Sequence, residues 1–303
     1  MKIVVLDGYT TNPGDLSWDL LEALGDVTIF DRTSQKDVIE RIGNAEAVFT
    51  SKCKITGDVM DACPNIKFVS LLATGYDNVD IEAAKTRGIA VCNIPAYSTE
   101  SVAQHTFALL LELCCNTAKH NQSVQNGEWS KSPDFCMVQT PLFQLSGKTL
   151  GIIGYGSIGK KVGKIAEAFG MEVIPYSQNA EKAIKADVIS LHCPATSENR
   201  GFVNKEFIEK MKDGAFLINT ARGALINEAD LAEAVKSGKL AGAAVDVVSK
   251  EPIEADNPLL GVENIIITSH MAWSSKEARS VITTTAADNL KSFIDGSTLN
   301  RIV

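Results

Sequence analysis

The chain has 303 residues, 45% of them hydrophobic and 22% charged, with a formal net charge of −8. That length exceeds one ordinary core and suits two domains, and the globular balance excludes general disorder. The acidic charge offers no general attraction for nucleic acid or an anionic membrane, which points to a small-molecule partner. No apolar run reaches the length of a membrane span, and the opening residues 1–7 read as a first strand, too short in apolar length for a signal peptide. In the first third, Val- and Ile-rich runs at roughly 2–7, 26–31, 45–50, 67–73 and 90–94 lack polar alternation. They predict strands buried on both faces, as in a parallel sheet. Amphipathic segments at 17–25, 35–43, 56–63 and 80–87 lie between them, giving a five-stranded α/β unit.

Pro95 closes that unit, and Ser98, Thr99 and Ser101 offer capping groups before a helix over 102–118. The stretch 121–144 is polar and broken, with Trp129, Phe135 and Phe143, and is expected to be a long loop with a task of its own. A second α/β unit begins at Lys148. Its strands are expected near 148–154, 171–176, 186–192, 215–220, 241–247 and 264–269, and its helices near 158–169, 205–211 and 228–237. A last helix runs from about 275 to 294 and stops at Gly296. The seven cysteines, Cys53, Cys63, Cys92, Cys114, Cys115, Cys136 and Cys193, form no CxxC pair. They suit a reducing cytoplasm better than a disulfide framework or a zinc site, and no metal is expected.

The sharpest local signal is Gly154-Tyr155-Gly156-Ser157-Ile158-Gly159, because it ends an apolar strand and opens an amphipathic helix. In that context Gly154 makes the tight turn, Gly156 lets a pyrophosphate approach the backbone, and Gly159 lets helix and strand pack closely. An NAD site usually places Asp or Glu at the end of the next strand, to hold the ribose hydroxyls. Here that position reads Tyr176-Ser177-Gln178-Asn179, with neither an acid nor an Arg, so both NAD and NADP stay open.

Three later strand ends gain meaning together: Asn219-Thr220-Ala221-Arg222-Gly223, Asp246 through Pro252, and Ser269-His270-Met271-Ala272-Trp273. Ligands of open α/β sheets bind outside the carboxyl ends of strands, so these three are expected to serve one crevice. Their residue types suit reduction of a 2-keto acid. Arg222 can bind the carboxylate and polarise the keto oxygen. His270 can donate the proton, and Glu251 beside it favours the imidazolium. Asp246 can help seat the nicotinamide end.

In the order of these motifs the chain resembles the D-2-hydroxyacid dehydrogenase family, over essentially its whole length. The segment Ser98 to Thr106 resembles the family's interdomain helix, with Gln104 where Glu is common. The resemblance implies two doubly wound parallel-sheet domains, flavodoxin-like and Rossmann. The substrate-binding domain would comprise 1–97 and 275–303, and the NAD(P)-binding domain 98–274. It implies Arg222, Glu251 and His270 as the catalytic set. Ser157, Ile158, Ser177, Cys193, Pro194, Thr220, Ala221 and Asp246 would join the three glycines and His270 around the dinucleotide. Ala73, Thr74 and Gly75 would hold the substrate carboxylate with Arg222 and His270, and Lys52 is a weaker candidate near the same substrate. A homodimer is implied as well, in which the 98–145 region embraces the partner.

The segment His270 to Arg279 is most similar to the glycerate dehydrogenase, or hydroxypyruvate reductase, branch, and hydroxypyruvate giving D-glycerate is the expected reaction. The phosphoglycerate branch commonly has Gly where this chain has Ala272, and often carries a regulatory domain for which the sequence ending at Val303 leaves no room. Trp273 is either a substrate contact or a packing residue. Two alternatives stand beside this reading. One is another small or bulkier 2-keto acid, such as glyoxylate or pyruvate; the other is a dinucleotide-sensing corepressor on the same scaffold.

Overall fold

All pairing between the strands of the two sheets is parallel. The computed structural model describes Met1 to Val303 and falls into two units, Met1–Ser98 with Ser274–Val303, and Thr99–Trp273.

In the first unit, β1 (Lys2–Val5), β2 (Asp26–Ile29), β3 (Ala47–Thr50), β4 (Phe68–Leu71) and β5 (Ala90–Cys92) take the order β2-β1-β3-β4-β5. Every residue of β3, β4 and β5 is buried, which is why these runs show no polar alternation. The crossovers carry α1 (Asp19–Glu22), α2 (Val38–Ile42), α3 (Gly57–Ala62) and α4 (Ile81–Thr86). Thr56 caps α3 and Asp80 caps α4, each side chain accepting an N–H of the first turn.

The second unit opens with α5 (Thr99–Cys115) and α6 (Thr117–Gln125). Asn116, in the left-handed region at φ +47°, separates the two helices. The expected loop over 121–144 therefore begins as helix. The polar run from Thr117 to Gln125 buries only Ser123 and so has no apolar periodicity to announce it. The sheet follows: β6 (Thr149–Ile153), α7 (Ser157–Ala168), β7 (Glu172–Pro175), α8 (Ala180–Ile184), β8 (Val188–Leu191), α9 (Lys205–Lys210), β9 (Ala215–Asn219), α10 (Glu228–Lys236), β10 (Leu240–Val245) and β11 (Ile265–Ile267). Its order is β11-β10-β9-β8-β6-β7. The chain thus reverses direction across the sheet between β6 and β8, the kind of switch point at which open α/β sheets bind ligands.

The chain ends in α11 (Lys276–Ile294), capped by Ser275 and built into the first unit. Phe293 packs against Phe68 of β4 in a tilted pair, with ring centroids 5.2 Å apart and planes at 37°. Arg279 forms two hydrogen bonds to the Asp15 carboxylate, at 2.7 and 2.8 Å. The final residues pair with the sheet edge, where Ile302 donates to Val91 and Val91 to Val303.

Candidate active site

The glycine loop sits at the switch point, and its three glycines have three different reasons to be glycine. Gly154 has φ +100°, and a Cβ there would lie 2.3 Å from the Cys193 nitrogen and 2.4 Å from the His192 carbonyl carbon. This glycine lets the end of β6 touch the end of β8. A Cβ on Gly159 would meet the Gly154 oxygen at 2.2 Å, so that glycine lets α7 descend onto its own turn. Gly156, by contrast, has nothing within 4 Å of its would-be Cβ. It is also the N-cap of α7, where no side chain caps the first turn. The open side and the uncapped N–H groups of a 12-residue helix are what a pyrophosphate needs, so the loop fits the dinucleotide on its own geometry. Ser157 and Ile158 form that first turn. Cys193 and Pro194 stand opposite, in a loop shaped by Asn199 Nδ2 donating to the Pro194 carbonyl at 2.9 Å.

At the end of β7, Ser177 is exposed on a turn in which Gln178 and Asn179 donate to the Pro175 carbonyl. Asn179 is committed to capping α8, and Lys182 to Glu172 at 2.5 Å. The turn itself, Tyr176 to Asn179, carries no charged side chain to favour or reject a ribose phosphate.

The next strand end carries Arg222. Asn219, fully buried at the end of β9, curls the turn: its Oδ1 accepts from Ala221 N–H at 3.0 Å and its Nδ2 donates to the Arg222 carbonyl at 2.9 Å. The Arg222 guanidinium is exposed and donates to the Ala221 carbonyl at 2.8 Å, with no carboxylate paired to it. A Cβ on Gly223 would fall 1.9 Å from the Val248 carbonyl carbon. Glycine at that point lets the Arg222 turn stack on the loop that leads to Glu251.

Glu251 and His270 meet. His270 Nδ1 lies 2.7 Å from Glu251 Oε2, while Glu251 Oε1 accepts from the Val248 N–H at 3.3 Å. Both side chains are about one-third exposed, at 29% and 33%. His270 has φ +54°, a left-handed conformation that costs a non-glycine residue on the order of 1–3 kcal/mol and persists only where its surroundings impose it. Asp246 imposes it. Its backbone carbonyl accepts from the His270 N–H at 2.7 Å, and its carboxylate accepts from the N–H groups of Met271 and Ala272, both at 2.9 Å. The Asp246 side chain is 1% exposed. Burial alone would raise its pKa, but hydrogen bonds from His105, Thr268, Ala272 and Met271 outweigh that and hold it below the ordinary value.

Thr220 is buried, with its hydroxyl 3.0 Å from that of Thr106 on α5. In the first unit, the turn Ala73–Gly75 after β4 is pinned to the strand beside it. The Thr74 hydroxyl donates to Ile94, Ile94 N–H donates to Ala73, and Asn93 donates to Thr74. The N–H groups of Thr74 and Gly75 make no hydrogen bond of their own. Lys52 follows β3 in a turn gathered by Asp7, whose carboxylate accepts from the N–H groups of Ser51 and Lys52 at 2.7 Å each.

Sequence reading missed Asn219, Thr268 and His105. Asn219 lies inside the Asn219–Gly223 motif, but its role is visible only once its side chain bonds its own turn. Thr268 and His105 lie 163 positions apart, and no local pattern joins them.

The family model for the D-isomer specific 2-hydroxyacid dehydrogenase NAD binding domain matches residues 107–272. A hydroxypyruvate reductase of Blautia hydrogenotrophica is 51% identical, covering 99% of both chains. A D-lactate dehydrogenase of Aquifex aeolicus, solved with NAD and lactic acid, superposes with a TM-score of 0.83 at 29% identity over 100% of this chain and 99% of the other. An acyclic imino acid reductase solved with NADPH and D-Arg superposes with a TM-score of 0.84 at 28% identity, covering 100% of both.

Proposed function

The chain belongs to the D-isomer specific 2-hydroxyacid dehydrogenase family, and on that premise we propose that it reduces hydroxypyruvate to D-glycerate with a nicotinamide dinucleotide. The observation that carries the chemistry is the 2.7 Å pair between His270 Nδ1 and Glu251 Oε2 at the strand ends beside an open dinucleotide loop. The substrate rests on the full-length similarity to a hydroxypyruvate reductase at 51% identity.

When bound, the reduced nicotinamide supplies the two-electron reducing equivalent that carbonyl reduction requires. The glycine loop and the first turn of α7 hold its pyrophosphate through Gly156, Ser157 and Ile158. Cys193, Pro194, Thr220 and Ala221 line the remainder, with Ser177 at the ribose and Asp246 toward the nicotinamide. Arg222, whose guanidinium has no carboxylate partner, binds the carboxylate of the keto acid and polarises its carbonyl. By family resemblance, the turn Ala73–Gly75 of the first unit, with the unengaged N–H groups of Thr74 and Gly75, is a candidate holder of a substrate carboxylate. Nδ1 of His270 faces Glu251, so Nε2 is the nitrogen that gives its proton to the substrate oxygen. Glu251 holds the ring in that orientation and balances its charge. The turn at Ser177 repels neither cofactor, which supports use of both NADH and NADPH.

We place the working enzyme in the cytoplasm as a homodimer. The seven cysteines, all free, suit a reducing compartment. The 98–145 region exposes Phe135 at 91% and Val138 at 64%, apolar surface of the kind that a second copy would cover.

A panel of hydroxypyruvate, glyoxylate, pyruvate and 3-phosphohydroxypyruvate, each with NADH and NADPH, tests the reading. The expected result is the highest kcat/KM with hydroxypyruvate. A higher value with another acid would overturn the substrate assignment, and failure to oxidise either cofactor would favour a dinucleotide sensor.

A further inference from the structure

Helix α5 carries a histidine that the chemistry above does not use. His105 Nε2 lies 3.0 Å from Thr268 Oγ1 and 3.5 Å from Asp246 Oδ1. The hydrogens in this group can be placed by elimination. Asp246 is ionised and only accepts, so the Thr268 hydroxyl spends its one hydrogen on Asp246 Oδ1, at 2.6 Å. The Thr268 oxygen can then only accept from His105, and His105 must carry its hydrogen on Nε2. The result is a directed chain from His105 through Thr268 to Asp246.

Asp246 is also the group that fixes the left-handed His270 turn, through Met271 and Ala272. One helical turn before His105, Ser101 donates its hydroxyl to the Ala272 carbonyl at 2.6 Å. Residues at i and i+4 share a helix face, so Ser101 and His105 meet the 268–272 segment side by side. The helix therefore grips both ends of the segment from which the His270 side chain projects.

We propose that His105 is a positioning residue for His270, acting through the Thr268 hydroxyl and the Asp246 carboxylate to hold the left-handed turn that aims the imidazole. The proposal rests on the reading of His270 as the proton donor. Removing the donor at 105 frees Thr268 to rotate, loosens one side of Asp246, and lets the turn relax toward the ordinary right-handed region. The imidazole then leaves the line between Glu251 and the substrate. The pyrophosphate end on the glycine loop lies outside this chain of bonds; only the nicotinamide end, toward which Asp246 stands, shares it.

The test compares His105→Leu, His105→Gln and Thr268→Val in the full-length protein. Gln can place an amide N–H where Nε2–H stands, whereas Leu cannot. His105→Leu and Thr268→Val should each lower kcat about tenfold, below the roughly hundredfold that a 1 Å misplacement can cost. KM for the dinucleotide should change less than kcat, since the pyrophosphate site lies outside these bonds and only the nicotinamide end, toward which Asp246 stands, shares them. His105→Gln should restore kcat to within about threefold of wild type, as a retained hydrogen-bond donor predicts. If His105→Leu fails to fold, Thr268→Val with the Gln variant decides the matter alone. Unchanged kcat in the deletions, no rescue by Gln, or a loss confined to the dinucleotide KM would overturn the proposal.

Deuterium uptake at the Met271 and Ala272 amides separates this from the functional reading. If the wild type reduces no 2-keto acid, the functional reading fails. Faster uptake in His105→Leu but not in His105→Gln would still support the positioning role, and equal uptake in all three proteins would overturn it.

Discussion

Nδ1 of His270 is engaged by Glu251, and that single contact decides how the imidazole is used. With the proton on Nδ1 directed at a carboxylate, only Nε2 can serve a substrate oxygen. His270→Ala should therefore lose about 10²–10⁴ in kcat, the usual worth of a general acid. Dinucleotide affinity, followed by quenching of protein fluorescence, should stay near the wild-type value. Glu251→Gln keeps an acceptor for Nδ1 but removes the charge, so its loss should be smaller than that of His270→Ala. A larger loss for Glu251→Gln would mean that the carboxylate touches the substrate itself. As candidates these residues were legible in the sequence, because Arg222, Glu251 and His270 each follow a recognisable apolar strand. Asn219, Thr268 and His105 were not, since each acts only through a bond that the fold creates. Asp246 was legible as a residue worth naming, while its grip on Met271 and Ala272 was not.

Among the elements, the β6 turn and α7 carry the clearest contrast. Gly154→Ala puts a Cβ 2.3 Å from the Cys193 nitrogen at a φ of +100°, and Gly159→Ala puts one 2.2 Å from the Gly154 oxygen. Both should lower the melting temperature as well as cofactor affinity, because backbone must move in each. Gly156→Ala meets open space at an ordinary φ of −80°, so the fold should tolerate it. The new methyl would instead stand where the pyrophosphate approaches. The expected outcome is a dinucleotide Kd raised at least about tenfold, the factor for 1.4 kcal/mol, with a melting temperature near wild type. An unchanged Kd in Gly156→Ala would remove the pyrophosphate from this position. The long elements were readable from periodicity alone, for α7 and α11 bury apolar positions at helical spacing. The short or polar helices α6 and α8 were not, since α6 buries only Ser123 and α8 only Ala183.

For the molecule as a whole, the expected acid sensitivity comes from a histidine outside the proposed catalytic set. His192 follows β8 beneath the glycine loop, with Nε2 2.8 Å from Ser190 Oγ and a solvent-sealed Nδ1 that has no partner. Burial pushes its pKa from 6.5 down to about 3. The folded chain thus keeps this ring neutral at pH values where the unfolded chain protonates it. The native state gains full benefit above pH 6.5 and loses it progressively as pH falls toward 3. The loss grows by roughly 1 kcal/mol for each pH unit in that interval. Asp187 and Asp246 have the same sign, but their lowered pKa values act only below the ordinary 3.8. Between pH 6.5 and about 4.5 His192 therefore supplies a slope that these carboxylates do not. In His192→Gln the amide stays neutral at every pH and can still meet Ser190. Melting temperatures measured from pH 7.5 to 4.5 should fall by a few degrees per pH unit in the wild type. They should fall distinctly less in His192→Gln. Parallel curves for the two proteins would show that His192 takes up its proton in the folded state, and the source of the acid sensitivity would then lie in another group.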